Sequence, residues 1–99
     1  LYKETKALLL GESVSAEELA AIVSAAEGCD DVQTVIWARG IHMASNVQQV
    51  DVKVVFADHL SARGVALATQ DVEKRIRAAV PTVKYLFVES GLVEDPVGS

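Results

Sequence analysis

Two histidines and a few aspartates are the side chains of this sequence best suited to chemistry. His42 and His59 are its only histidines. Asp58 stands directly before His59, and a neutral imidazole beside a carboxylate suits zinc and similar divalent cations. The simplest interpretation of this pair is a solvated turn. The functional interpretation is half of a cation site, whose other ligands must come from elsewhere in the fold or from a second chain.

The other candidates stand on predicted strands. His42 closes the first of them, where an ordinary edge-strand histidine is the simplest interpretation. Asp51 and Lys53 occupy adjacent outward positions of the next strand, as is typical of a solvent-facing edge. If the chain binds a divalent cation such as zinc, we expect His42 and His59 to be its ligands. We expect Asp58 and Asp51 to be weaker, additional ligands.

The rest of the sequence gives no sign of an active site. Cys29 is followed by two acids, but a small buried cysteine and a solvated turn explain this run best. A single cysteine cannot form an internal disulfide, which indicates a reducing compartment. The sequence contains no nucleophile with a base, no general acid–base pair and no cofactor-binding motif. We therefore expect no enzyme, and we predict no catalytic or cofactor-binding residue.

Composition limits the class of protein further. The 99 residues predict one domain, and 51% hydrophobic with 23% charged residues is typical of a globular chain. The net charge of −5 argues against nucleic acid as a partner and agrees with cations. No stretch approaches the ~20 apolar residues of a membrane span. The chain begins at Leu1 rather than Met, so we expect it to be a piece of a longer protein.

Hydrophobic periodicity predicts two helices and three strands. Helices are predicted from Ser15 to Glu27, with a capping box at its start and Gly28 as a left-handed C-cap, and from Ser61 to about Ala79. Strands are predicted at 32–42, 50–56 and 83–89, with a turn at 44–46 joining the first two and an irregularity around Gly40.

This order, α-β-β-α-β, predicts an α+β fold in which two helices cover one face of a three-stranded mixed sheet. The other face should be partly apolar, because alternation places a set of large side chains there: Trp37, Val35, Val55, Leu86 and Val88. An apolar outer face on a single sheet favours a second subunit, so we predict a homodimer.

Five segments in order, "LLLGES", "GCDDVQTV", "VDVKVVFADHLS", "DVEKRIRAAVP" and "VKYLFVE", carry a resemblance to a known family. Over about residues 8–90 the chain resembles the C-terminal cytosolic domain of cation diffusion facilitator transporters. The resemblance implies a ferredoxin-like, metallochaperone-like sandwich that dimerises and binds divalent cations such as zinc near the dimer interface. It also implies a linker at 1–12 from a missing membrane domain, the cytosolic domain at 13–90 and a flexible tail at 91–99. The full-length protein would then be an integral membrane protein, with this domain at the cytoplasmic face.

The family's usual metal ligands are missing from this sequence. In the histidine-rich zinc exporters, four positions supply these ligands. The residues that align with them here are not usual ligands: Gln33, Lys53, Ala66 and Phe87. The segment "RGIHMAS" is instead similar to a T-x-H-x-G-P pattern found in one branch of the family. His42 matches the histidine of that pattern, while Gly40, Ala44 and Ser45 depart from it.

Two functions follow from this reading. The first is a regulatory and dimerisation domain of a divalent metal cation transporter, a zinc-type cation/proton antiporter. The alternative is an ACT-like or other ferredoxin-like sensor or assembly domain that binds a small molecule such as an amino acid. Six apolar spans upstream of Leu1 would favour the transporter, and an enzyme domain or a DNA-binding helix pair there would favour the sensor.

Overall fold

A computed structural model of the chain describes residues 7–11, 13–44 and 47–92. In this part of the chain there are six elements, in the order βαββαβ: β1 (Leu8–Gly11), α1 (Ala16–Glu27), β2 (Val32–Ala44), β3 (Val47–Phe56), α2 (Ala62–Ala79) and β4 (Val83–Ser90). None of the helices described is long and apolar enough to cross a membrane. Residues 1–6 and 12 of the predicted linker, 45–46 of the predicted turn and 93–99 of the predicted tail lie outside the described residues.

Serine caps start both helices. Ser15 Oγ accepts a hydrogen bond from the Glu18 backbone N–H at 3.1 Å, as the predicted capping box requires. Ser61 Oγ accepts from the Gly64 N–H at 3.0 Å. Gly28 ends α1 as predicted, but its φ of −68° is right-handed, so the prediction of a left-handed cap was wrong. The Gly28 N–H instead donates to the carbonyls of the last helical turn.

The sheet has four strands in the order β1-β2-β3-β4. The predicted hairpin is confirmed as an antiparallel β2–β3 pair, and the predicted crossover is confirmed as β4 parallel to β3. The prediction of three strands was one too few. Leu8–Gly11, which we assigned to a linker, pairs in parallel with β2. Four residues are too short to show alternation, and their hydrogen-bonding partners lie far along the chain.

Both helices pack on the same face of this sheet, which we call the inner face. Val50, Val52 and Val54 point into it and are fully buried, as their alternation predicted. They pack with the apolar stripes of the two helices in one cluster that includes Leu19, Ile22, Val23, Val72 and Ile76. This cluster is the main core of the domain.

The opposite, outer face is less apolar than predicted. Trp37 and Val55 do lie there, in a small second cluster. Val35 and Leu86 were assigned to the same face, but both belong to the main core, and Val88 packs against that core. For the two β4 residues the register gives the reason, because they pair with Val50 and Val52 on the inner face.

For Val35 the reason is a bulge in β2. The register between β2 and β3 shifts between Val35 and Trp37, so Ile36 is an extra residue in the strand. Residues two apart on a regular strand share a face, and one inserted residue reverses that relation. Val35 therefore faces the helices while Ile36 and Trp37 lie in the outer cluster.

We expected the irregularity around Gly40, where the β2–β3 register is in fact continuous. The role of Gly40 is steric. A Cβ at this position would stand 3.1 Å from Val14 Cγ2 and 3.3 Å from Leu19 Cδ2. Gly40 is on the inner face directly under the start of α1, and the absence of a side chain lets the helix approach the sheet.

Candidate cation-binding site

The structure separates the two histidines. His42 lies at the end of β2 and pairs across the hairpin with Gln48, near the start of β3. Asp58 and His59 follow the other end of β3, in an exposed turn before α2. About ten residues of mostly extended chain, or roughly 30 Å, separate Gln48 from this turn. His42 and His59 therefore do not share a site within one chain.

Asp51 lies on the outer face, near the middle of β3. Its Oδ2 is 3.1 Å from Nη2 of Arg39, the residue that it pairs with on β2. The Arg39 guanidinium also lies over the Trp37 ring, 4.6 Å from the ring centroid. A shallow depression of about 70 Å³ follows this part of the face and is lined by Arg39, Gly40, Ile41, Gln49 and Asp51. A cation approaching Asp51 would have to compete with the guanidinium of Arg39.

The four predicted ligands thus lie in three separate places, and only the neighbours Asp58 and His59 share one. Within residues 7–11, 13–44 and 47–92, no three side chains of His, Cys, Asp or Glu gather at metal-binding distance. Cys29 is buried, as predicted, and burial raises the pKa of its thiol. The role of His42, His59, Asp58 and Asp51 as ligands remains a prediction, but one chain does not bring them together.

His42 has polar neighbours that the sequence analysis did not single out. The Gln48 amide nitrogen lies 3.1 Å from His42 Nε2 and 2.9 Å from Glu18 Oε2. On the backbone side, the His42 N–H donates to Ser13 Oγ at 2.9 Å. Three elements thus meet at this end of the molecule, because Glu18 comes from the first turn of α1, His42 from β2 and Gln48 from β3.

Glu18 is held in place by its helix cap. Ser15 Oγ donates to Glu18 Oε1 at 3.3 Å, which leaves Oε2 to face Gln48. The amide hydrogen bond from Gln48 is the main cause that lowers the pKa of Glu18 below its ordinary value. Hydrogen bonds with Ser15 and electrostatic attraction to the nearby His42 also lower this pKa, against an opposing effect of burial. Glu18 is therefore an ionised carboxylate at neutral pH.

Gln48 is the unusual member of this group. Among the described residues it is the one polar side chain that is buried, with only 3% of it exposed. Its Oε1 is buried without a hydrogen-bond partner among the described residues. Gln48 stands two residues before Val50 on the inner face, where the alternation calls for an apolar side chain. That mismatch was the sequence signal that could have identified it; Glu18 was marked only as a capping residue.

No protein-family model matches the sequence, and no curated protein matches it. Solved structures do match its fold. A nickel form of a MamM C-terminal domain variant superposes with a TM-score of 0.72 at 17% identity, covering 78% of this chain and 96% of that one. A second nickel form gives 0.73 at 16% identity and covers 81% and 100%. A third MamM variant gives 0.71 at 18% identity and covers 80% and 94%.

These neighbours confirm the predicted fold class. MamM is a transporter of the cation diffusion facilitator family, and its C-terminal domain shares the α+β, ferredoxin-like arrangement described above. The structural similarity therefore agrees with the resemblance found in the sequence. At this level of identity it is a similarity of fold.

Proposed function

We propose that this chain is the cytosolic regulatory and dimerisation domain of a divalent metal cation transporter, a zinc-type cation/proton antiporter of the cation diffusion facilitator family. One observation carries the proposal: the fold of this chain superposes on nearly the whole length of the MamM C-terminal domains. Two of those domains are nickel forms, which supports a divalent cation as the ligand here. The domain itself is proposed to be non-catalytic and to lie at the cytoplasmic face of the membrane.

The outer face supports the proposed homodimer. Leu8, Tyr85 and Phe87 are large apolar side chains that remain exposed, and their strand partners place them on this face. Phe87 pairs with Asp51 on β3 and is 52% exposed. Large exposed side chains on one sheet gain free energy when a second surface covers them. A second copy of the chain is the proposed partner.

Cation binding then has a physical route to regulation. His59 and Asp58 are far from His42 within one chain, so a site that uses both regions draws them from two subunits. A cation that bridges two subunits binds the closed dimer more tightly than the open one, and it shifts the equilibrium by that difference in affinity. In the full-length transporter, the closing of this domain is proposed to control the membrane unit.

The dimer is tested by sedimentation velocity with two matched variants. Phe87 on β4 and Leu67 on α2 are each 52% exposed, but only Phe87 lies on the outer face. We expect Phe87→Asp to weaken self-association at least tenfold, because it places a charge in the interface. Leu67→Asp should leave association unchanged. A wild-type monomer, or an equal effect of both variants, would contradict dimerisation through this face.

The transporter role is tested against a sensor role by thermal shift. Zinc and nickel should raise the melting temperature of the wild-type chain, because a ligand that binds only the folded state stabilises it. Free amino acids should not. Stabilisation by an amino acid without any effect of metals would favour the sensor. Six apolar spans encoded upstream of Leu1 would support the transporter independently.

A further inference from the structure

Two hydrogen-bond acceptors converge on one amide group at the junction of α1, β2 and β3. The Gln48 Nε2 has two hydrogens and no lone pair to offer, so both neighbours must accept from it. Glu18 Oε2 does so at 2.9 Å and His42 Nε2 at 3.1 Å. In this arrangement the Nε2 lone pair of His42 is directed at the same point as the Glu18 carboxylate.

This is also the geometry that a cation requires. A carboxylate oxygen and an imidazole lone pair are both metal ligands, and here a weak positive group, the amide N–H₂, occupies the place between them. Ser15 holds the other carboxylate oxygen, and Ser13 holds the His42 backbone. The two ligand groups are thus positioned in advance by α1 and its cap.

The other end of the same amide has no hydrogen bond within the described part of the chain that would hold it in this orientation. Gln48 Oε1 is buried and has no partner among the described residues, although buried carbonyl oxygens are nearly always hydrogen-bonded. Half a turn about the last side-chain bond would exchange the amide oxygen and nitrogen. Oε1 would then meet Glu18 Oε2 and His42 Nε2, and three acceptors can share one point only if a positive charge lies between them.

We propose that Glu18 Oε2, His42 Nε2 and, after rotation of its amide, Gln48 Oε1 bind one divalent transition-metal cation. The mixed nitrogen and oxygen ligands suit zinc, nickel or cobalt better than calcium or magnesium, which prefer oxygen alone. His42 is exposed and Glu18 half-buried, so the site is open to solvent on one side and water completes the coordination. All three ligands come from one subunit.

The proposal rests on the proposed function for the class of cation, but its site is not the one that bridges two subunits. A cation here would tie the first turn of α1 to the end of the β2–β3 hairpin. It would do so at one cation per chain and at any protein concentration. Those two properties separate it from a cation shared across a dimer interface.

Calorimetric titration of the whole chain with zinc chloride and nickel chloride tests the site. The variants are His42→Ala and Glu18→Gln, and the control is Glu17→Gln, which removes the neighbouring exposed carboxylate of the same helical turn. We expect one cation per wild-type chain, at least a tenfold loss of affinity in each variant and no change in the control. Binding that survives unchanged in both variants, or one cation per two chains, would overturn this site and leave the proposed function standing.

A substitution that is expected to increase zinc affinity separates loss of the site from misfolding of a variant. Gln48→Glu supplies a carboxylate in place of the amide, so it should tighten zinc binding at least tenfold. Without metal it places two carboxylates together and should lower the melting temperature, which zinc should restore. Failure of zinc to stabilise Gln48→Glu more than the wild type would overturn the site.

Nuclear magnetic resonance reports the amide rotation directly. Zinc should shift the Gln48 side-chain N–H₂ and the His42 ring signals together. A wild-type chain that binds no metal would overturn the site, and sedimentation would still decide the dimer. Metal binding at the site in a chain that stays monomeric would support the site and contradict the proposed dimerisation.

Discussion

The two faces of the sheet differ in what covers them. On the inner face, every second residue of β3 from Val50 to Val54 is fully buried beneath α1 and α2. On the outer face lie the Arg39–Asp51 ion pair and the large exposed side chain of Phe87. The same strands thus supply stability on one side and a surface for association on the other.

Trp37 is the exception that sharpens this difference. It is fully buried although it lies on the outer face, and the Arg39 guanidinium packs over its ring. Its indole nitrogen is buried without a hydrogen-bond partner among the described residues. The outer face therefore has a small core of its own.

The largest effect on folding should come from the inner face. Ile76 on α2 is fully buried in the main core, and Phe87 on β4 is half exposed on the outer face. Removal of a buried Ile side chain costs about 2–5 kcal/mol, because it loses both transfer energy and packing. We expect Ile76→Ala to lower the free energy of unfolding by that amount, and Phe87→Ala to change it by about 0.5 kcal/mol or less. Urea denaturation at low protein concentration measures both; comparable losses would contradict the division between the faces.

The next effect tests how closely α1 packs on the inner face. At Gly40 a new Cβ would press against Val14 and Leu19, and the neighbours must give by a few tenths of an ångström. We expect Gly40→Ala to destabilise the domain by about 1–3 kcal/mol, as is usual for overpacking. Gly64 is the control, because it lies in the first turn of α2, and a Cβ there meets mainly the Leu60 side chain. Gly64→Ala should be neutral or stabilising; a larger loss there than at Gly40 would rule out the packing explanation.

The elements with a periodic sequence pattern were predicted correctly, and the local irregularities were missed. The capped helices, the hairpin and the β3–α2–β4 crossover follow from periodicity and serine caps, and all are confirmed. The short strand β1 was missed because its stability comes from pairing with distant residues of β2. The bulge at Ile36 places the residues on its two sides on the opposite face from the one that regular alternation predicts, and no local residue type indicates it.

The candidate site shows the same limit. His42 was identified from its chemistry, since a histidine is rare and able to bind a cation. Glu18 and Gln48 were not joined to it, because the contacts between α1, β2 and β3 span about thirty residues. Only the polar residue at an inward-facing position of β3 gave a signal in the sequence. His59 has similar chemistry but is exposed in a turn, with none of these neighbours.

A moderate effect is expected at the cap that holds this site. Ser15→Ala removes the acceptor for the Glu18 N–H and the hydroxyl that orients the Glu18 carboxylate. We expect a loss of about 1 kcal/mol of stability, typical of an N-cap. Ser61→Ala removes the matching cap of α2, and it should cost a similar amount. Only Ser15→Ala should also weaken zinc binding, so calorimetry on the two variants distinguishes them. Equal zinc affinities would show that the Ser15 hydroxyl does not orient Glu18.

The smallest effect is the pH dependence contributed by Glu18. Its pKa is lowered in the folded state, chiefly by the Gln48 amide. A carboxyl with a lowered pKa adds stability above its unfolded pKa of about 4.3, and that stability is lost as the pH falls through the folded value. Because the group is half-buried and solvent screens it, we expect less than about 1 kcal/mol. Denaturation gives the free energies of unfolding of wild type and Glu18→Gln between neutral and acid pH. The difference between them should disappear once the pH falls below the pKa of Glu18 in the folded state. A difference that is constant with pH would show that the amide hydrogen bond does not depend on the charge of Glu18, and this end of the inner face would then act by packing alone.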